Sequence, residues 1–202
     1  MGITPQQFER MRSRTSGRRR AQSDALPPGM SASAASHQVI LGIDPSLRGT
    51  GYGIIRSTQP WPRLLAQGTI RSRSGWQRSR CLVQIAQTLG ELLRQHHPAV
   101  CVVEGLFYAQ NLRTALILGE ARGACLVAVG EAGLEIYEIA PRKVKQAIVG
   151  YGAAQKTAVA RMVQRMLGLS ELPAPDAADA LALALTYAQE TSRYSFAGPK
   201  RI

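Results

Sequence analysis

The sequence predicts an α/β domain with a mixed five-stranded sheet and helices on both faces. Three observations carry that reading. Two short runs of β-branched residues and leucine, at 39–43 and 99–103, each end in a carboxylate and are too short for helices. From residue 64 onward, strand-like runs alternate with longer stretches of helical period. Strands dominate the first half and helices the second, which calls for a sheet covered on both sides. At 202 residues the chain suits one domain with a proper core, and its 45% hydrophobic content fits a globular protein.

Residues 39–55, V-I-L-G-I-D-P-S-L-R-G-T-G-Y-G-I-I, predict a strand, a tight turn and a second strand. Asp44 then stands at a strand end beside the core, where a carboxylate is costly unless something neutralises it. Alone it reads equally well as a turn-capping Asp. Pro45 stops the ladder, and Gly49, Gly51 and Gly53 are expected to let the backbone turn sharply. Residues 64–70 form a third strand, and 78–97 an amphipathic helix ended by Pro98. The strand at 99–103 leads into Glu104 and Gly105. Asn111 caps a helix reaching about Gly130 that carries the small residues Gly119, Ala121, Gly123 and Ala124. A fifth strand, 134–139, precedes a short basic helix opened by Pro141 and broken at 150–152. Residues 154–169 resume as a helix, and Asp176 opens a last apolar helix to about Ala188.

Residues 1–36 lack apolar periodicity and carry six arginines against Glu9 and Asp24. They are expected to be a disordered basic extension, leaving one folded domain at 37–190 and a tail at 191–202. Met30 is a candidate true start in a bacterial gene, the reading preferred to an organelle transit peptide. The net charge of +12 is not confined to the extension. Arg142, Lys143, Lys145, Lys156, Arg161 and Arg165 follow one another from 139 to 170 with no acidic residue between them. That run is a footprint for a polyanion, unless it is simply a solvated face. Cys81, Cys101 and Cys125 lack metal or disulfide spacing and read as core hydrophobes in a reducing compartment. No stretch approaches membrane-spanning length.

Asp176 and Asp179 are three apart and project from one face of an otherwise apolar helix. An N-cap role would account for Asp176 but not for Asp179. With Asp44 and Glu104 they make a candidate carboxylate cluster free of His and Cys, a donor set suited to Mg²⁺ or Mn²⁺. Next to a basic surface, such a cluster suggests two ions and hydrolysis of a nucleic-acid backbone.

The segments I-L-G-I-D-P-S-L-R-G-T-G-Y-G (40–53), V-V-E-G-L-F-Y-A-Q-N (102–111), L-G-E-A-R-G (118–123), P-R-K-V-K-Q-A-I-V-G-Y-G-A-A-Q-K (141–156) and D-A-A-D-A-L-A-L-A (176–184) resemble, in unbroken order, the RuvC family of Holliday-junction resolvases. The resemblance covers about residues 38–190. It implies a ribonuclease H-like fold and a bacterial, cytoplasmic homodimer that nicks opposed strands of a four-way DNA junction, in recombination and repair. It also implies Mg²⁺, with two ions per site and Mn²⁺ able to substitute, and a RuvA–RuvB branch-migration complex as partner. Carried over by motif, Asp44, Glu104, Asp176 and Asp179 would be the catalytic metal ligands. Phe107 would stack on bases at the opened junction, although an aromatic there is more often core. Lys145 and Lys156 would contact phosphates near the cut, and Arg142, Lys143 and Arg161 read as general backbone contacts. The chain departs from the family at Ser46, where Gly is common, and at Ile117, where some relatives have Lys. The main alternative is a ribonuclease H-like enzyme acting on RNA or RNA–DNA hybrid. An actin-like ATPase would need a second phosphate loop that is not evident, and a non-catalytic junction binder would have no need of four acids.

Overall fold

Strand β1 (Val39–Asp44) lies at the centre of a six-stranded sheet of order β3-β2-β1-β4-β5-β6. It pairs antiparallel with β2 (Gly49–Arg56) and parallel with β4 (Val100–Glu104). Outward on one side is β3 (Arg63–Arg71), antiparallel to β2; on the other are β5 (Glu135–Ile139), parallel to β4, and the short β6 (Lys200–Arg201). The computed structural model describes residues 38–105, 111–192 and 199–202. Five helices complete the described fold: α1 (Arg78–His96), α2 (Leu112–Glu131), α3 (Pro141–Val149), α4 (Lys156–Met166) and α5 (Pro175–Ser192).

The period-two alternation of β1 sorts its side chains between two cores. Leu41 and Ile43 join Ile85, Leu89, Cys101 and Val129 under α1 and α2, whereas Ile40 joins Val102, Val163, Leu181 and Leu185 under α3, α4 and α5. Cys81, Cys101 and Cys125 are free and buried, as their apolar contexts predict. Burial pushes the Cys125 thiol up to about 12 and the Cys101 thiol higher still, so both stay protonated and inert.

Local chemistry explains the boundaries. The Asn111 side chain accepts from the Thr114 amide at 2.8 Å, capping α2. Pro141 sits in the first turn of α3, and Gly150, at φ 97°, closes that helix in the left-handed conformation a glycine tolerates. Thr50, fully buried, donates to the Ser46 carbonyl at 2.6 Å and accepts from the Ser46 amide at 3.3 Å, holding the β1–β2 turn.

Two expectations need correction. The sheet has a sixth strand, because part of the predicted tail pairs with β5 through Glu138↔Lys200 and Tyr137↔Arg201, assisted by an Arg201–Glu135 ion pair at 2.8 Å. Two residues carry no periodicity from which a strand could be read. The glycines of β2 also serve a different purpose from the one expected. Gly49, Gly51 and Gly53 lie within the strand, and none has a positive φ. Instead Gly42, Gly51 and Gly53 face α5: a Cβ at Gly42 would strike the Ala180 carbonyl, one at Gly51 the Asp176 carbonyl, and one at Gly53 the Leu181 side chain. Gly42 and Gly53 are register partners, so the three form a bare strip across β1 and β2 on which the helix rests.

Candidate active site

The C-terminal ends of β1 and β4 are adjacent because Ile43 and Val103 are register partners, which sets Asp44 beside Glu104. Helix α5, seated on the glycine strip, brings Asp179 over the same sheet edge. The three carboxyls interact strongly. Burial, reinforced by the charges of Glu104 and Asp179, pushes Asp44 up from 3.8 to about 8. Glu104 is also raised, first by burial and then by Asp179, although its hydrogen bond with Asp44 and the positive charges of Lys156 and Lys145 oppose the rise. The two strand-end acids therefore share a proton near neutral pH, with Asp44 as its holder.

Lys156, in the first turn of α4, donates to Asp179 Oδ2 at 2.6 Å. That hydrogen bond is the main reason its ammonium is held above the usual lysine range. Glu104, Lys145, Lys156 and Asp179 line a cleft of about 180 Å³ whose apolar wall is Val144, Val159 and Leu183. The sequence-predicted Asp44, Glu104, Asp179, Lys145 and Lys156 thus meet at one edge of the sheet.

Asp176 lies over β2, against Gly51, the register partner of Asp44. It lies within the first turn of α5 and is not an N-cap, and a Cβ at Gly49 would come within 3.2 Å of its Oδ2. The charges that raise Asp44 and Glu104 include Asp179 but not Asp176. Arg142 and Arg161 are exposed, whereas Lys143 forms a 2.8 Å ion pair with Glu190 of α5. Phe107 lies outside the described residues, as does the extension at 1–36 with Met30.

One site residue escaped sequence reasoning. Arg122 of α2, only 7% exposed, donates to the Glu104 backbone carbonyl and, at 2.5 Å, to Glu138 Oε2. It locks the end of β4 to α2 and β5. An arginine among Gly and Ala in an apolar helix was the available signal, since a buried guanidinium needs partners.

The donor set suits a hard divalent cation: oxygen ligands only, half-buried, and sharing a proton in place of a positive charge. Among the described residues, no three acidic, cysteine or histidine side chains are yet drawn together to the distance of one ion. The residues therefore fit a divalent metal in kind, with Asp44 required to lose its proton and Asp179 already turned toward a cation, that of Lys156.

A mixed sheet of this order, with acids on adjacent central strands and on a packed helix, defines a ribonuclease H-like nuclease. The model of the crossover junction endodeoxyribonuclease RuvC family matches residues 40–187, and the chain belongs to that family of metal-dependent nucleases. It is 46% identical over 153 residues to the crossover junction endodeoxyribonuclease RuvC of Chromohalobacter salexigens, covering 76% of this chain and 82% of that one. The RuvC of Akkermansia muciniphila is 45% identical over 148 residues, covering 73% of this chain and 89% of the relative. Among solved structures, T. thermophilus RuvC in complex with Holliday junction substrate aligns with a TM-score of 0.76 at 35% identity, over 82% of this chain and 100% of that one.

Proposed function

We propose that this chain resolves four-way DNA junctions in the bacterial cytoplasm, as a homodimer whose subunits each hydrolyse one of two opposed strands. The observation that carries this reading is the cluster of Asp44, Glu104 and Asp179 at one sheet edge, with Lys145 and Lys156 in the same cleft.

Asp44, Glu104 and Asp179, joined by Asp176 from the same helix, would hold Mg²⁺, two ions in this reading, with Mn²⁺ as a substitute. Such ions supply a hydroxide-like water at neutral pH and stabilise charge on the phosphate oxygens. The chain's own part is positional. The strand ends hold Asp44 and Glu104 side by side, while Lys156 and Lys145 place positive charge where the scissile phosphate gains negative charge. Arg142, Lys143 and Arg161 add backbone contacts that position the DNA, and Phe107 stacks on an unpaired base at the junction centre. A RuvA–RuvB branch-migration complex would deliver the junction.

The dimer reading is supported by α2. Its outer face presents Leu112, Leu116 and Val127, 76%, 59% and 58% exposed. Gly119 and Gly123 lie on the same stripe, and a Cβ at either would meet nothing. Apolar residues alternating with glycines on a helical stripe suit close approach of a second, identical helix.

The test is incubation of the protein with a mobile four-way junction, a matched duplex and an RNA–DNA hybrid, in Mg²⁺ or in EDTA. Paired symmetric nicks in the junction alone, dependent on metal, are expected. Preferential cutting of the hybrid would overturn the junction assignment and leave a ribonuclease with the same site.

A further inference from the structure

A second group of positive charges lies at the same sheet edge, on the side away from Lys145 and Lys156, and the nuclease chemistry makes no use of it. Arg71 ends β3, Arg73 and Trp76 occupy the loop that follows, and Arg78 and Arg80 open α1. The group is built rather than loose. The Arg80 guanidinium lies 4.2 Å from the Trp76 ring centroid and that of Arg73 at 5.9 Å, so the indole orders both cations. Arg48 reaches across from the β1–β2 turn and donates to the carbonyls of Arg73 at 2.5 Å and Trp76 at 2.9 Å, pinning the loop.

Of these four arginines, only Arg78 finds a carboxylate among the described residues, Glu120 at 3.1 Å, while Arg71, Arg73 and Arg80 are exposed with none. The arrangement works against the fold. Helix α1 has no acidic residue in its first turn and no side-chain cap, and it sets two arginines at the positive end of its own dipole. Charges placed at a cost to the helix are explained by an anion they meet outside it.

Position identifies that anion. Arg71 pairs across the sheet with Gly49, the glycine beneath Asp176, and β3 is two strands from β1. With strands about 4.8 Å apart and Arg71 two residues further along than the position opposite Asp44, the end of β3 lies roughly 12 Å from Asp44. Along the duplex axis, at 3.4 Å per nucleotide of one strand, that span is about three to four steps. A chain of phosphates crossing the carboxylates from the Lys145–Lys156 side would run onto the arginines next.

We propose that Arg71, Arg73 and Arg80, ordered on Trp76, form a sequence-independent clamp on the duplex DNA arm that leaves the cleavage site on the β3 side. The clamp rests on the reading of the protein as a DNA nuclease. It contacts phosphates only, so it holds plain duplex as well as a junction arm.

The experiment measures binding of fluorescently labelled duplex and four-way junction in EDTA, across about 50 to 200 mM salt, for wild type and for Arg73→Gln/Arg80→Gln. Losing two phosphate contacts should flatten the slope of log affinity against log salt by about 2, so this salt rise should weaken the wild type about tenfold more than the variant. The Arg73→Lys/Arg80→Lys pair keeps both charges and should restore the slope. Unchanged slopes in the Gln pair, or a Lys pair as flat as the Gln pair, would overturn the clamp. A slope loss in a protein with no preference for junction over duplex would support the clamp and overturn the resolvase reading instead.

Discussion

Replacing Asp44 by Asn removes one charge at constant shape and separates stability from activity. In the metal-free protein, a carboxyl whose pKa rises from 3.8 to about 8 on folding binds more protons folded than unfolded between those values. Stability therefore falls as pH rises through that window, with no penalty below about pH 4 and the full penalty above about pH 8. At about 1.4 kcal/mol per tenfold change in ionisation, the full displacement sets a ceiling of about 5 to 6 kcal/mol. If relaxation and water entry recover half of it, about 2 to 3 kcal/mol remains, or roughly 5 to 10 °C in Tm for a chain of this size. The amide can still donate to Glu104, so the exchange costs little else. Thermal melts in EDTA should show Asp44→Asn melting several degrees above wild type at pH 8, with the gap narrowing toward pH 5. Mg²⁺ should raise the wild-type Tm at pH 8 and leave the variant unmoved, and the variant should bind junction without cutting it. An Asn variant that melts at or below wild type at pH 8, or gains as much from Mg²⁺, would refute the account of Asp44 as a buried, metal-seeking acid.

Lys156→Ala should slow single-turnover nicking by roughly a hundredfold while weakening junction binding much less, since a charge beside the reacting phosphate acts mainly on the transition state; equal losses would make it an ordinary phosphate contact. Gly51→Ala drives a methyl group into the Asp176 carbonyl and should destabilise the fold by about 1 to 3 kcal/mol, read as a lower denaturation midpoint, although the same exchange at exposed Gly75, where a Cβ would meet nothing, should not. Arg122→Met leaves Glu138 without its cation and the Glu104 carbonyl without its donor, so a loss of about 3 to 5 kcal/mol is expected in urea melts.

The parts of the site legible in the sequence are those where local pattern and chemistry coincide. Asp44 and Glu104 end short apolar runs, and a strand end is where a carboxylate escapes burial on both faces. Asp179 stands out because every other residue from 177 to 185 is alanine or leucine. What remained hidden depends on contacts between segments distant in sequence. Gly51 and Gly53 look like turn residues until α5, more than a hundred residues later, is seen lying on them. Arg122 looks out of place in its helix until the Glu104 carbonyl and Glu138 arrive from two strands. The grouping of Asp176 with Asp179 follows from helical spacing, but spacing does not say what each approaches: Asp179 meets Lys156, and Asp176 lies over the glycines of β2. Trp76 reads as one aromatic in an arginine-rich loop, and only the folded loop stacks Arg80 upon it. The β6 pairing is too short to leave a pattern at all.

The bare strip under α5 acts as a datum surface. Elsewhere two layers of a protein are spaced by the side chains between them, and their separation drifts as those side chains are exchanged. At Gly42 and Gly51 peptide meets peptide, and there the gap is set by atomic radii that no substitution short of replacing a glycine can alter. The reach from the strand-end acids to Asp179 is thereby insulated from the rest of the interior. Leucines and valines around it can be traded over evolutionary time, or in a redesigned core, and the calibration of the catalytic centre stays where the backbone put it.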